Sequence, residues 1–293
     1  MTKLDALVDD LIEQDIKKHK KLLNGSLIKP ISEDYPFASN GLYFFCGKMG
    51  TGKTYQVCRH IMMTERMFPK PYYDNVIWTS TSDGMDNTVE SLKGSIQTPI
   101  QFVKDTNLIT FLNKHLRQKE KFNALNRLVN SKFKDVNKKM KEIAVKHGLY
   151  KDGRNEKFEL RRVVAYITEK MTKYPFRQYP SYTLLVMDDF AGHPLVKNET
   201  SPLNIMFTKT RHYHLTGILI TQSWRFIHFN FKRLCTDIVV YKGFSQKDFK
   251  TMIEQTPNNQ EWEELWEKYK NLPSEHSSMR LHITAGLVLF DEQ

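Results

Sequence analysis

Residues 47–54 read Gly-Lys-Met-Gly-Thr-Gly-Lys-Thr, and this run leaves the chain little choice of architecture. It matches G-x-x-x-x-G-K-[ST] at every fixed position. Such a run works as a turn from strand to helix. Its glycines let the backbone wrap a phosphate chain, and a helix beginning at its end aims its first N–H groups at the anion. The flanks supply both elements. GLYFFCG at 41–47 is a short apolar run bounded by glycines, suited to a buried strand, and residues 53–67 read as a helix closed by Pro-Lys-Pro at 69–71. In that setting Lys53 reaches the β- and γ-phosphates, and the Thr54 hydroxyl is a ligand for Mg²⁺. Gly47, Lys48, Met49, Gly50, Thr51, Gly52, Lys53 and Thr54 are therefore candidate nucleotide-binding residues, with ATP and Mg²⁺ as the expected ligands.

A second motif completes the first. Leu184-Leu185-Val186-Met187 is a strand run that ends in Asp188-Asp189. Beside a phosphate loop, the first acid belongs to the Mg²⁺ shell, which assigns Asp188. The next acid polarises the attacking water, which assigns Asp189. The two motifs lie 188 − 53 = 135 residues apart. A βαβ unit takes about 30 residues, so two of them leave room for an insert.

The insert is visible in the charge. The chain holds 44 Lys and Arg against 33 Asp and Glu, a balance of 44 − 33 = +11. Residues 114–173 alone hold 18 basic and 7 acidic groups, 18 − 7 = +11, so about a fifth of the chain carries the whole excess. Phe122, Leu125, Leu128, Val129, Phe133, Val136, Met140 and Ile143 recur there at helical spacing, and a second helical stretch spans 158–171. A basic helical hairpin of this kind has two readings: a polyanion-binding element, or a solvated pair of helices. On the first reading Lys132, Lys134, Lys138, Lys139 and Lys141 contact DNA phosphates.

Further strands are expected at 75–81, 100–103, 215–222 and 237–243, with a terminal strand or hairpin after 280. Strands alternating with helices predict an α/β fold with a mainly parallel sheet. The expected domains are an N-terminal amphipathic helix and linker over 1–34, a core over 35–245 with the basic insert at about 107–175, and C-terminal helices with the last strands over 246–293. Leu4, Leu7, Val8, Leu11, Ile12 and Ile16 form the stripe of the first helix. Trp262, Leu265, Trp266 and Tyr269 share one face of a late helix and read as core.

Composition removes other classes. A 26% charged fraction with 12% aromatic residues excludes a disordered or collagen-like chain. Cys46, Cys58 and Cys235 have no metal-binding or disulfide spacing, so a reduced intracellular protein without structural zinc is expected. No apolar run reaches the roughly 18 residues of a membrane span, and the first ten residues lack a signal-peptide pattern, so neither membrane insertion nor secretion is expected. His212 and His214 form an H-x-H without further ligands nearby in sequence and read as ordinary side chains.

Gln222 ends the 215–222 run, at the strand edge where an α/β sheet holds its ligand; it reads as a sensor of the γ-phosphate or of the attacking water. Arg211 precedes the same strand and falls at the opposite rim, which suits a finger offered to a neighbouring subunit. Arg225 and Arg233 are the competing candidates.

GKMGTGKT, LLVMDD and TKTRHYHLTGILITQS together resemble the FtsK–HerA branch of P-loop ATPases, within it the poxvirus-type genome-packaging ATPases of large eukaryotic DNA viruses and virophages. The resemblance covers roughly residues 36–245. It implies a RecA-like core with additional strands, a homo-oligomeric ring, double-stranded DNA as partner, and a capsid or portal component. It also implies a place in the host cytoplasm, a viral factory or the virion. Asp189 stands where many relatives carry Glu, one methylene longer. The leading expectation is an ATP-hydrolysing DNA motor. An ATP-dependent switch or scaffold and a small-molecule kinase are the alternatives, while the absence of N-K-x-D argues against a GTPase.

Overall fold

The computed structural model describes residues 3–22, 37–68, 70–81, 87–130, 156–256, 261–283 and 285–291. The chain divides into two compact units: residues 1–26 with 112–181, and residues 27–111 with 182–293.

The second unit holds the sheet. Its strands are β1 (Leu42–Cys46), β2 (Asn75–Ser80), β3 (Ile100–Phe102), β4 (Thr183–Asp188), β5 (Leu215–Thr221), β6 (Asp237–Tyr241), β7 (Ser278–His282) and β8 (Leu287–Asp291). They lie in the order β3-β2-β4-β5-β1-β6-β7-β8. Every pair from β3 to β6 is parallel, and β7 and β8 add an antiparallel hairpin at one edge. The mainly parallel sheet predicted from alternation is present. β5 lies between β1 and β4, with Leu42 opposite Gly217 and Thr183 opposite Leu215. The phosphate-loop strand and the acid-bearing strand are therefore separated by one strand, the additional-strand arrangement.

The central strands are apolar on both faces because both faces are covered. On one face Tyr43, Phe45, Val76, Trp78, Leu184, Val186, Ile218 and Ile220 pack with Val57, Cys58 and Ile61 of α2 (Lys53–Arg66) and with Val89 and Leu92 of α3 (Asn87–Ser95). On the other, Phe44 meets Trp224 and Phe231 at centroid distances of 5.3 and 6.0 Å.

The first unit joins α1 (Lys3–Leu22), most of α4 (Leu108–Asn130) and α5 (Glu156–Met171). The apolar stripe of α1 buries Leu7, Val8, Leu11 and Ile12 against Leu125, Leu128, Val163 and Ile167. Its polar flank is tied down too: Arg127 pairs with Asp15 at 2.7 Å and Lys170 with Asp5 at 2.8 Å. The N-terminal helix and the inserted helices thus share one core. Lys132, Lys134, Lys138, Lys139 and Lys141 lie outside the described residues, as do Phe133, Val136, Met140 and Ile143.

Candidate functional site

Local sequence explains why the phosphate loop holds its shape. Gly50 and Gly52 sit at φ +81° and +86°, a region L side chains rarely adopt, and each is a glycine. Gly47 N–H donates to Thr221 O at 3.2 Å, extending the β1–β5 ladder to the mouth of the loop. Thr51 Oγ1 donates to Lys48 O at 3.0 Å, and Lys53 Nζ donates to the same carbonyl at 2.6 Å. Lys53 is 8% exposed, and its ammonium closes the loop from inside. Helix α2 starts at Lys53, so its free N–H groups face the loop cavity.

A cleft of about 300 Å³ opens beside the loop. Met49, Gly50, Gly52, Lys53, Thr54 and Tyr55 line it from the loop and α2; Asp188 and Asp189 line it from the end of β4, and Gln222 from the end of β5. The residues that the sequence separates by up to 173 positions (222 − 49) therefore meet at the carboxyl edge of three adjacent strands. Gln222 Nε2 donates to Asp189 Oδ1 at 3.4 Å, a long hydrogen bond between the two residues assigned to the attacking water. Asp189 adopts φ +56°, the left-handed region, which swings its carboxylate out of the strand direction.

Two supporting residues carry no signal in the sequence. Thr81, just past β2, donates from Oγ1 to Asp189 O at 2.8 Å and from its N–H to Asp188 O at 3.4 Å. It splints the turn bearing both acids. Thr88, in the first turn of α3, also lines the cleft.

Electrostatics divide the site. Burial pulls the Lys53 ammonium below its ordinary pKa, while Asp188, Cys46 and Asp189 act in the opposite sense. A carboxylate pair facing one desolvated lysine is short of positive charge until a cation arrives. Cys46, at the end of β1, is buried and its thiol is pushed up to about 12, so it is no nucleophile. Among the described residues no group of three or more His, Cys, Asp and Glu side chains is placed to hold a metal ion. Thr54 and Asp188 on opposite walls of one cleft fit the alternative, an ion held by one carboxylate, one hydroxyl and the phosphates of a ligand. Bound there, Mg²⁺ would neutralise charge on the phosphates.

The remaining candidates are dispersed. Lys48 is exposed and its side chain runs along Gly243: a Cβ built on that glycine would lie 3.4 Å from Lys48 Cδ. Arg211 lies in the short helix α8 (Thr210–Tyr213; α6 is Pro194–Lys197 and α7 Pro202–Phe207), immediately before β5. The seven residues of β5 separate it from the Gln222 end, about 23 Å at 3.3 Å per residue. Arg225 pairs with Asp248 at 2.5 Å, and Arg233 sits over the Phe229 ring at 5.5 Å in α9 (Phe229–Arg233).

The parallel sheet, the strand inserted between loop strand and acid strand, and the loop itself define a P-loop NTPase fold of the additional-strand, RecA-like kind. No family model matches the chain, and no curated protein does. Among solved structures it is similar to the genome packaging NTPase B204 from Sulfolobus turreted icosahedral virus 2 in complex with ATP-gammaS. That similarity has 13% identity, covers 86% of this chain and 97% of that one, and has a TM-score of 0.49. It is also similar to the cytoplasmic domain of the Type VII secretion ATPase EccC of Thermomonospora curvata, at 15% identity over 91% of this chain and 28% of that one, TM-score 0.47. EssC (ATPases 2 and 3) from Geobacillus thermodenitrificans gives 9% identity over 90% of this chain and 43% of that one, TM-score 0.47.

Proposed function

We propose that this chain is an Mg²⁺-dependent ATPase whose hydrolysis drives double-stranded DNA into a viral capsid. The observation that carries the reading is the convergence of Lys53, Thr54, Asp188, Asp189 and Gln222 on one cleft. Lys53 and the α2 N-terminus bind the phosphates, Thr54 and Asp188 hold the ion, Asp189 takes the proton of the attacking water and Gln222 orients that water. The sequence resemblance to packaging ATPases extends this chemistry to a homo-oligomeric ring, with a capsid or portal component as partner and Arg211 reaching the next subunit's cleft. The whole positive excess of 18 − 7 = +11 in residues 114–173 supports DNA binding there, through Lys132, Lys134, Lys138, Lys139 and Lys141. The same reading puts the protein in the host cytoplasm, a viral factory or the virion.

The test is ATP hydrolysis with and without long duplex DNA. A motor accelerates when duplex is added. Hydrolysis that duplex leaves unchanged gives the function to a nucleotide-dependent switch or scaffold, and phosphoryl transfer to a small molecule gives it to a kinase.

A further inference from the structure

The roles assigned above account for the phosphates of a nucleotide and name no residue for its nucleoside. The sheet order fixes where that nucleoside must go. The γ-phosphate end lies by Asp188, Asp189 and Gln222, at the ends of β4 and β5, on one side of β1. Neighbouring strands are about 4.8 Å apart, so a phosphate chain that starts there and follows the loop across β1 ends over the seam of β1 and β6. The nucleoside then projects over the carboxyl edge of β6 and the start of β7.

One side chain at that place belongs to no site yet described. His276 is exposed, two residues before β7 begins. A Cβ built on Gly52, a lining residue of the cleft, would lie 3.8 Å from His276 Nδ1. The imidazole therefore flanks the phosphate loop on the side opposite the acids. The turn that carries it is held from several directions. Ser274 N–H donates to Ser277 Oγ at 3.3 Å and Ser277 N–H to Ser274 Oγ at 3.2 Å. Lys242 N–H, just past β6, donates to Ser277 O at 3.1 Å, and Lys242 Nζ donates to Leu272 O. A turn held in advance leaves little beyond the side chain's own rotamers to order when a ligand meets it. The same flank is clasped by β8, where Asp291 Oδ2 accepts from Gln56 Nε2 of α2 at 3.3 Å.

We propose that His276 is a nucleoside-contacting residue, seating the base and ribose of the bound nucleotide beside the phosphate loop. The inference rests on the nucleotide-site reading above. An aromatic ring against a nucleobase is worth enough to change affinity about tenfold, independent of the phosphates.

The experiment compares two probes by calorimetry, ATP and inorganic tripolyphosphate, each with Mg²⁺, on the full chain and on His276→Ala. Tripolyphosphate lacks a nucleoside and also checks that the phosphate loop of the variant is folded. The expected result is an ATP Kd raised about tenfold and an unchanged tripolyphosphate Kd. Unchanged ATP binding overturns the proposal, and so does an equal loss for both probes, which would make His276 a phosphate ligand. If the unsubstituted chain binds neither probe, the nucleotide-site reading itself has failed, which is a separate and recognisable outcome.

Discussion

At the scale of single residues, the cleft depends on groups held in unusual states. Lys53 is nearly enclosed, and its ammonium bridges the loop through Lys48 O. Replacing it by Ala deletes the charge assigned to the β- and γ-phosphates while giving α2 the strongest helix former at that position. We expect Lys53→Ala to keep its circular dichroism and melting temperature and to lose hydrolysis; a variant that hydrolyses ATP at the parental rate would remove Lys53 from the mechanism. A different residue sets the response to acid. His60 is 2% exposed, and burial, with Arg280 adding to it, depresses its pKa to about 3. The folded chain keeps this ring neutral while the unfolded chain protonates it near pH 6.5. Stability is therefore fully present above pH 6.5 and is lost as pH falls towards 3, by up to about 1.4 kcal/mol per pH unit from this residue. His115, likewise buried with its pKa lowered to about 3, acts in the same direction. Melting curves between pH 7 and 4 should be less steep in pH for His60→Phe than for the parent; an identical dependence would contradict the assignment.

At the scale of elements, β5 is the strand on which the site turns. It lies between β1 and β4 and leads directly into Gln222. Its glycine has a packing reason. A Cβ on Gly217 would collide with the Phe207 ring of α7 and approach Leu42 Cδ1 to 3.0 Å. Gly217→Ala should therefore lower stability by about 1–3 kcal/mol in denaturant titration, the usual cost of overfilling a packed core. A change within error would mean that Phe207 has another place to go.

The phosphate loop and the β4 acids were legible because each combines an apolar strand run with a fixed pattern of glycines or charges. The six parallel strands were legible from their apolar runs, and β7 and β8 only as a terminal strand or hairpin after residue 280. Their order was not, because β1, β4 and β5 are similar in length and in composition and nothing in the runs says which neighbours which. Thr81 and Thr88 were invisible for a related reason: a lone threonine acquires its role only when β2 and α3 are brought beside the cleft. The stripe of α1 announced a buried face, but its partners lie over 100 residues away in α4 and α5. The short helices α6 to α9, of four to six residues, are too brief for periodicity to reveal.

At the scale of the whole molecule, one chain supplies a pocket and, on the proposed reading, a finger for another chain's pocket. Arg211 and Gln222 stand at opposite ends of β5, so Arg211 acts on a neighbour or not at all. A mixing experiment reads this directly. Arg211→Ala keeps its pocket and Lys53→Ala keeps its finger, so each alone should be nearly inactive. Rings shown to contain both should recover part of the hydrolysis, since fingers of this kind are worth roughly 10³–10⁵ in rate. No recovery would rule out action in trans, and a fully active Arg211→Ala would remove the residue from the mechanism. The basic segment is tested separately. Reversing Lys132, Lys134, Lys138, Lys139 and Lys141 should flatten the plot of log DNA affinity against log salt by about one unit for each DNA phosphate no longer neutralised. An unchanged slope would return that segment to the role of a solvated surface.

The proposed motor depends on the cleft at the ends of β1, β4 and β5 hydrolysing ATP, with Asp189 as the assigned base. Asp189→Asn bears on this without an intermediary, because Asn tolerates the left-handed conformation at φ +56° as Asp does and so changes the charge with little change of backbone. ATP affinity and phosphate release are measured on the same preparation. ATP binding should stay close to that of the parent, and turnover should fall by about 10²–10⁴. Parental turnover in Asp189→Asn would contradict the assignment.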